Sequence, residues 1–396
     1  MQTRRSLRDL PRPPRQHAVA RRGGGALRVV ALSVTGALTF TTVGAAAVVH
    51  MLDSNIETLD VDHLASPDRP ELLEPEDPFG RQPVNVLLAG SDERLGDNAA
   101  FGEDEDGMRS DTTMLIHVSA DRTRVESVSI PRDSLVDIPE CQTTNGPVPP
   151  RRQAMFNSAM AAAWDKGQDH ESAIACLRDT VESLTGVRVT EFVLLDFVGF
   201  VAMVDALGGI PMDLPEPIVS PKADLELEAG PQVLDGHQAL GYVRARTGAG
   251  LDGSDLSRIG RQQELVTAML DQVLSTDLMT STPSLLRFLD AATSSIMTSP
   301  GLDSVWEIAG LAHSLRGVPL DDVTLVTVPT TVAPQDRNRV VWTEEADELW
   351  RRMAADEPIV DVAPNPSEQG SEVPGEPAPG AHATPLGARD GQVLVP

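Results

Sequence analysis

The chain has 396 residues and a formal net charge of −27, and aromatic residues make up only 3% of it. So acidic a chain repels nucleic acid at long range, which argues against a DNA- or RNA-binding function. The charge is unevenly distributed, because residues 1–28 contain eight arginines and one acidic residue. The scarcity of aromatic residues indicates a core built from aliphatic side chains.

A run of 24 residues, 29–52, contains no Asp, Glu, Lys or Arg. About 20 apolar residues span a bilayer, so this run is long enough to cross a membrane. Because arginines precede the run and acidic residues follow it, the positive-inside rule places residues 1–28 in the cytoplasm and the rest outside. A cleaved signal peptide is the alternative, but its apolar core usually has only about 7–15 residues. We therefore predict an uncleaved signal anchor in a single-pass protein of the cell membrane.

Composition divides the outer part of the chain into three segments. Residues 53–80 are rich in Pro, Asp and Glu, which predicts an acidic stalk. Residues 357–396 are rich in Pro, Gly, Ser and Glu, which predicts a disordered tail. The folded extracytoplasmic domain is therefore expected over residues 81–356.

Strand and helix patterns alternate through this domain. Short apolar or alternating runs predict strands at 84–89, 113–118, 125–130, 191–195 and 323–328. Apolar residues at helical spacing predict helices over 174–184, 197–207 and 255–274. This order indicates an α/β fold in which helices cover both sides of a central mixed β-sheet, preceded by one transmembrane helix.

Arginines stand beside aspartates in several short motifs of this acidic domain. Arginine offers a fork of donors that fits phosphate oxygens, and aspartate supplies the hard oxygen that a divalent cation prefers. Asp92 and Asp111 lie at predicted strand ends, close to Arg94 and Arg109. The motifs therefore predict a site for a pyrophosphate and its metal. The simpler alternative is that Asp92 caps a turn while Arg109 pairs with Asp111 at the surface.

A further group of polar residues shares one face of the predicted helix that begins at residue 255. At 100° per residue, an arc of about 120° holds Asp255, Arg258, Arg261 and Gln262. An adjoining apolar stripe would pack on the sheet. An ordinary solvated helix face would also be charged, but Arg244 and Arg246 just upstream favour a binding site.

Two cysteines, Cys141 and Cys176, lie on the predicted outer side of the membrane. An even pair in an oxidising compartment predicts one disulfide, and two free thiols are the alternative. The sequence contains no Walker loop and no Gly-x-Ser-x-Gly elbow. An ATP-binding P-loop and a hydrolase serine are therefore not indicated.

The order of the motifs resembles the LytR-CpsA-Psr family. The resemblance rests on stretches at 85–94, 109–112, 129–133, 156–157, 196–200, 205–209, 234–240, 244–246 and 255–263. Members of that family are membrane-anchored extracytoplasmic enzymes that transfer a glycopolymer from a polyprenyl-pyrophosphate carrier to peptidoglycan, or in some actinobacteria to protein. The resemblance implies a phosphotransferase whose partners are the lipid-linked glycopolymer, a peptidoglycan acceptor and the cytoplasmic membrane.

The same resemblance implies roles for individual residues. Asp92 and Asp111 would hold Mg²⁺, with Mn²⁺ as the alternative. Asp255 is the candidate base that activates the acceptor hydroxyl, and Arg132 and Arg258 complete the catalytic set. The residues that would bind the pyrophosphate are Arg94, Arg109, Arg132, Arg244, Arg246, Arg258, Arg261 and Gln262. Candidates for lining a family-type polyprenyl channel, for which plain core packing is the alternative, are Leu194, Phe197, Phe200, Val201 and Val204.

Two other functions fit the same residues. A hydrolase would cleave the carrier pyrophosphate with water as the acceptor, and a binding protein would hold the carrier without turnover. The presence of both aspartates together with Arg132 and Asp255 favours catalysis. One departure from the family pattern is an acidic insertion, residues 96–107, for which the sequence indicates no single role.

Overall fold

The computed structural model describes residues 24–73, 81–92, 107–275, 278, 280–319 and 322–359. Residues 1–23 of the predicted basic tail, residues 96–106 of the acidic insertion and the predicted disordered tail from residue 360 onwards lie outside these residues. Contacts divide the chain into two units, residues 1–54 and 55–396. The first unit contains helix α1 (Gly24–Asn55), which includes the predicted anchor. Within the described residues, no helix is both long and apolar enough to span a membrane.

The second unit contains the remaining strands and helices of the described residues. The strands are β1 (Glu57–Thr58), β2 (Val84–Ser91), β3 (Ser110–Val118), β4 (Val125–Ser129), β5 (Leu135–Ile138), β6 (Arg151–Met155), β7 (Glu191–Leu195), β8 (Ile210–Leu214), β9 (Ile218–Ser220), β10 (Leu225–Leu227), β11 (Gly230–Leu234), β12 (Ile296–Thr298), β13 (Val323–Thr327), β14 (Thr330–Ala333) and β15 (Asp336–Trp342). The helices are α2 (Ser158–Gly167), α3 (His170–Thr185), α4 (Phe197–Ala206), α5 (Gly236–Arg244), α6 (Asp255–Val273), α7 (Thr282–Thr293), α8 (Val305–Ser314) and α9 (Glu344–Ala354).

A seven-stranded mixed sheet lies at the centre, with the strand order β1-β12-β7-β2-β3-β4-β13. Strand β2 pairs antiparallel with β3 and parallel with β7, and β13 adds to β4 in parallel. The five strands that the sequence predicts are β2, β3, β4, β7 and β13, so the prediction of a central mixed sheet is confirmed. Short hairpins such as β14–β15 surround this sheet.

Helices cover both faces of the sheet because side chains along a strand alternate between its two sides. Leu115, Val128 and Val326 belong to a core cluster that also contains buried residues of α2, α3 and α9. The next residues along β4 and β13, Ser129 and Thr327, face the other way and accept hydrogen bonds from Gln263 of α6. The predicted arrangement of helices on both sides of the sheet is therefore confirmed.

Part of the segment predicted as a stalk belongs to the folded unit. Strand β1 pairs in parallel with β12 at the sheet edge, and Leu59, Val61 and Leu64 are buried in the core. Arg69 donates from Nε and Nη2 to the two carboxylate oxygens of Glu182, at 2.7 and 2.8 Å. The domain thus begins near residue 55 rather than at residue 81. The acidic composition does not predict that this segment folds with the domain, because a few spaced apolar residues are enough to anchor a short segment.

The C-terminal boundary also lies slightly beyond its predicted position. Ile359 is buried in the core, and its backbone N–H donates to Glu126 Oε1 at 2.9 Å. Asp356, at the predicted end of the domain, accepts hydrogen bonds from the backbone N–H of Ala120 and from Arg124. The domain therefore continues at least to residue 359.

The two cysteines form a disulfide between Cys141 and Cys176. Cys176 lies in α3, and Cys141 lies in the connection between β5 and β6. Both residues are buried in the core. The predicted disulfide is confirmed, and it fastens the β5–β6 hairpin to the helical face of the sheet.

Candidate functional site

Asp92 and Asp111 lie at the same end of two neighbouring strands. Ser91, the last residue of β2, pairs with Ser110, the first residue of β3. The backbone N–H of Arg109 donates to Asp92 Oδ1 at 2.6 Å, and the N–H of Asp92 donates to the Arg109 carbonyl at 3.0 Å. The strand pairing thus places both predicted metal ligands at one edge of the sheet. Arg94 lies outside the described residues.

Arg132 brings the end of β4 to this edge. It donates from Nη1 to Asp111 Oδ1, and its Nε lies 3.7 Å from Asp255 Oδ1. Burial lowers the pKa of the Arg132 guanidinium, but the Asp111 carboxylate outweighs burial and raises that pKa above its usual value. Asp111 therefore forms its ion pair with Arg132 within the site, which differs from the simple Arg109–Asp111 surface pair considered from the sequence.

Helix α6 begins at the site and contributes two charged side chains. Ser254 caps the helix by accepting a hydrogen bond from the N–H of Ser257 at 3.0 Å. Arg258 Nη2 lies 2.7 Å from Asp255 Oδ1, and it donates to the Asp111 carbonyl at 3.2 Å. The contacts of Asp111, Arg132, Asp255 and Arg258 close into a ring, which we call the charged ring.

Burial shapes the electrostatics of the charged ring. Desolvation raises the pKa of Asp255, and nearby Asp133 adds to that rise, while Arg258 and Arg132 oppose it. Desolvation likewise lowers the pKa of Arg258. Neither carboxylate oxygen of Asp255 makes a hydrogen bond with a described residue, nor does Nε of Arg132 or Arg258. Buried polar atoms normally have partners, so these atoms indicate a place for a polar ligand.

A second cluster adjoins the charged ring at Asp133. Its Oδ2 accepts a hydrogen bond from Arg246 Nη2 at 3.2 Å, and its Oδ1 accepts one from Arg339 Nη1 at 3.0 Å. The sequence predicted Arg246 but neither Asp133 nor Arg339 as site residues. Asp133 could have been suspected from its place next to Arg132, whereas Arg339 lies in β15 with no local signal.

The remaining predicted residues lie around α5. The guanidinium carbon of Arg244 lies 4.5 Å from the centre of the Phe197 ring. Gln262 is buried and donates from Nε2 to Thr112 Oγ1 at 2.9 Å, next to Asp111. The structure thus places Gln262 beside the charged ring and Arg244 against Phe197.

Arg261 is placed differently from its prediction as a pyrophosphate ligand. Its guanidinium donates to the carbonyls of Tyr242 and Ala245 and to Ser257 Oγ. These donors satisfy carbonyls at the C-terminal end of α5, which would otherwise lack partners. Arg261 therefore ties α5 to α6 and does not join the charged ring. The arc of 120° was too coarse, because Arg261 stands about 60° round α6 from Arg258 and meets the carbonyls of Tyr242 and Ala245.

The five predicted channel residues lie in different surroundings. Leu194 lies on a cavity of about 240 Å³, together with Ser91 and Met108 beside the Asp92 edge. Phe197 and Val201 form a small apolar cluster with Leu240, against which Phe200 packs. Val204 belongs to another core cluster. For these four residues the structure shows core packing.

The carboxylates fit a magnesium ion that is shared with a phosphate. The described part of the chain holds no group of three or more His, Cys, Asp and Glu residues placed to bind a metal. Mg²⁺ does not need such a group, because it usually takes one or two carboxylates and completes its shell with phosphate oxygens and water. Asp92 and Asp111 supply that number at one sheet edge.

Residues 49–355 match the model of the LytR_cpsA_psr family. The chain belongs to this family. The arrangement of a LytR_cpsA_psr domain thus explains why motifs that are far apart in the sequence converge at one sheet edge. The resemblance inferred from the sequence is confirmed.

Individual relatives and structures support membership of the LytR_cpsA_psr family. Cell wall biosynthesis protein LcpA of Corynebacterium glutamicum is 32% identical over 267 residues, which are 63% of this chain and 50% of LcpA. The chain thus spans about half the length of that relative. Polyisoprenyl-teichoic acid–peptidoglycan teichoic acid transferase TagU of Halalkalibacterium halodurans is 26% identical over 232 residues, 58% of this chain and 64% of TagU. The LytR-Csp2A-Psr enzyme from Actinomyces oris superposes with a TM-score of 0.51 and 22% identity, covering 76% of this chain and 96% of that structure, which shows the shared fold.

Proposed function

We propose that this chain is a phosphotransferase that moves a glycopolymer from a polyprenyl-pyrophosphate carrier to peptidoglycan. The observation that carries the proposal is the charged ring, in which Nε of Arg132, Nε of Arg258 and both carboxylate oxygens of Asp255 are buried without hydrogen-bond partners among the described residues. The names of TagU and LcpA, a teichoic acid transferase and a cell wall biosynthesis protein, support the same reaction class.

The arginines bind and orient the pyrophosphate. Nε of Arg132 and Nε of Arg258 each remain available for a phosphate oxygen in addition to the ion pairs that these residues already make. The N–H groups of a guanidinium lie in one plane and point towards different sides of the group. Each arginine can therefore bind its carboxylate and a phosphate at the same time. Arg109, Arg244, Arg246 and Gln262 add donors around this centre. Such fixed donors stabilise charge that develops on the phosphoryl oxygens.

Asp255 accepts the proton of the attacking hydroxyl. A carboxyl whose pKa is raised is a stronger base than an exposed aspartate, and neither of its oxygens is held by a hydrogen bond from a described residue. The acceptor oxygen forms a bond to the phosphorus that carries the polymer, and that phosphorus loses its bond to the bridging oxygen. Polyprenyl phosphate leaves with the bridging oxygen, and the hydroxyl proton passes to Asp255.

Asp92 and Asp111 would hold Mg²⁺, with Mn²⁺ as the alternative. When bound, such an ion supplies positive charge that neutralises the phosphate oxygens. Asp111 keeps its place through Arg132, and Asp92 keeps its place through the backbone N–H of Arg109. Both carboxylates are therefore oriented before a ligand arrives.

We also propose that residues 29–52 anchor the chain in the cell membrane, with the domain outside. The uncharged run and the arginines before it support this topology. The disulfide supports an oxidising compartment for the domain. Proteolysis of intact spheroplasts should degrade the domain and leave a fragment of residues 1–52 protected. Protection of the whole chain would contradict this topology.

The reaction can be tested with the full chain in detergent, farnesyl pyrophosphate and Mg²⁺. Phosphate release should require Mg²⁺ and should fall at least about 100-fold in Asp111→Asn, since an oriented carboxylate at the reacting centre is lost. Asp271→Asn is the matched control, because Asp271 is exposed near the far end of α6. Adding peptidoglycan fragments should divert the product to the acceptor. Turnover that is indifferent to the acceptor would favour a hydrolase, and binding without turnover would favour a carrier-binding protein. The absence of both binding and turnover would refute the pyrophosphate site.

A further inference from the structure

Asp133 holds two arginines from distant parts of the chain. Arg246 follows α5 and Arg339 lies in β15, yet each donates to a different oxygen of the same carboxylate, at 3.2 and 3.0 Å. The Asp133 side chain is only 7% exposed, so it is a fixed anchor. The two guanidinium groups are exposed by 32% and 29%, so both remain accessible from the solvent.

The backbone of β15 is also fixed at this place. The N–H of Val340 donates to the Asp133 carbonyl at 3.3 Å, and Val340 pairs with Ser134 in an isolated parallel bridge. Trp342 Nε1 donates to Ser134 Oγ at 3.1 Å. These contacts hold Arg339 against the segment that carries Arg132. Arg339 is therefore placed as firmly as residues within the family motifs.

The electrostatics of this cluster favour an additional anion. Asp133 is the buried carboxylate that two guanidinium groups share. Arg339 Nε also lies 3.9 Å from Asp336 Oδ2, but the Asp336 side chain is 44% exposed, so solvent screens that ion pair and it offsets little of the positive charge. The hydrogen bonds that Arg339 makes to described residues all use Nη1, so Nη2 is left for a ligand. A half-buried guanidinium with donors to spare forms stronger hydrogen bonds to an anion than a neutral donor would.

The cluster lies at the end of a series of contacts that begins at the predicted metal ligands. Asp111 contacts Arg132, the next residue is Asp133, and Asp133 holds Arg339. An anion at Arg339 would therefore lie beside the pyrophosphate and not in its place. We propose that Arg339, which Asp133 holds beside the pyrophosphate ligand Arg246, forms a second anion subsite for a carboxylate or phosphate borne on a sugar. This inference rests on the proposed function, and the sugar can belong either to the donor polymer or to the wall acceptor.

Calorimetric titration of the full chain tests the subsite with paired probes that differ by one charge. On the donor side, the probes are glucuronic acid 1-phosphate and glucose 1-phosphate. On the acceptor side, with inorganic pyrophosphate present, they are N-acetylmuramic acid and the same sugar with its lactyl carboxyl group amidated. The wild-type protein should bind the charged member of at least one pair about tenfold more tightly, as expected for one charge-assisted hydrogen bond.

Arg339→Gln should abolish that preference, and Arg337→Gln is the matched control. Arg337 lies two residues away on the same strand, its side chain is exposed, and its loss changes the net charge equally. The control should keep the tenfold preference. Arg339→Lys, which keeps the charge but loses the fork, should retain only part of it, and this variant is informative even if the glutamine variant folds poorly.

The outcomes separate this inference from the proposed function. Loss of preference in the donor pair assigns the subsite to the polymer, and loss in the acceptor pair assigns it to the wall. Equal affinity of wild-type protein for both members of both pairs would overturn the subsite and leave the pyrophosphate site intact. If neither inorganic pyrophosphate nor either sugar phosphate binds, the proposed function fails and the subsite fails with it.

Discussion

Nη2 of Arg258 lies 2.7 Å from Oδ1 of Asp255, one turn earlier in α6, and their side chains are exposed by only 3% and 9%. An ion pair this deeply buried is costly to form, because both ions give up their hydration. The structure offsets part of that cost through Arg132 on the other side of Asp255. The pKa of Asp255 is therefore set first by its burial and then by the charged side chains beside it.

We predict that activity has an acid limb controlled by Asp255. Because burial and Asp133 raise its pKa, the ionised base should be lost as the pH falls through a value above that of an exposed aspartate, about 3.9. Arg258→Gln removes a charge that lowers this pKa, so the limb should move to higher pH. Asp133→Asn removes a charge that raises it, so the limb should move to lower pH. Profiles of kcat/KM against pH that shift in the same direction in both variants would contradict the assignment.

Arg261→Ala should act mainly on stability. The substitution removes donors from the carbonyls of Tyr242 and Ala245, so the free energy of unfolding should fall by about 1–3 kcal/mol. Urea unfolding measures this change. Arg258→Ala is the comparison, since its guanidinium belongs to the charged ring, and it should weaken the binding of inorganic pyrophosphate more than Arg261→Ala does. The reverse order would restore Arg261 as a ligand.

Loss of the disulfide should destabilise the domain. The bridge joins residues 35 apart in the sequence, and the chain-entropy model gives about 4 kcal/mol for a loop of that size. A variant with Cys141→Ser and Cys176→Ser should therefore unfold at a lower concentration of guanidinium chloride. Reduced wild-type protein should match the double variant. An unchanged midpoint in both would show that the bridge adds nothing to stability.

Asp356 should make stability depend on pH at the C-terminal boundary. Burial alone would raise its pKa, but hydrogen bonds from His117 and from the N–H of Ala120 outweigh burial and lower it. The contribution of Asp356 to the free energy of unfolding should be complete above the pKa that it has in the unfolded chain, about 3.9. It should be lost as the pH falls through the lower pKa that Asp356 has in the folded protein. Asp356→Asn should cost about 3 kcal/mol at pH 7, and asparagine tolerates the positive φ of this position. A cost equally large at pH 2 would contradict the explanation.

Local patterns in the sequence predicted the parts of the fold that depend on local physics. Strand β7 alternates over five residues and was predicted with its observed bounds, and Asp255 meets Arg258 because the helical repeat brings residues three apart together. Strands β1 and β12 have two and three residues, too few for any period to show. Their pairing depends on tertiary structure alone.

The same distinction explains the site. Asp111 and Arg132 lie in different motifs, 21 residues apart, but both stand at predicted strand ends and could be grouped by their chemistry. Arg339 could not be found, because only the folding of β15 onto Ser134 brings it to Asp133, 206 residues earlier in the chain. Arg261 was grouped wrongly because helical angle alone does not show which neighbour each flank of α6 meets.

In the membrane-anchored arrangement proposed above, the short strand β1 would have a mechanical consequence for the domain. A pull on residue 55 acts along the strand, so it shears the backbone hydrogen bonds that join β1 to β12 instead of opening them one at a time. If those few bonds break, the load passes next to contacts that follow β1 along the chain, such as the hydrogen bonds from Arg178 to the Val61 carbonyl and from the Ser66 N–H to Asp179. The β2–β3 edge that carries Asp92 and Asp111 lies three strands away from β1 in the sheet and stays outside this load path. Growth or turgor that moves the wall relative to the membrane would thus strain the tether before it distorts the charged ring.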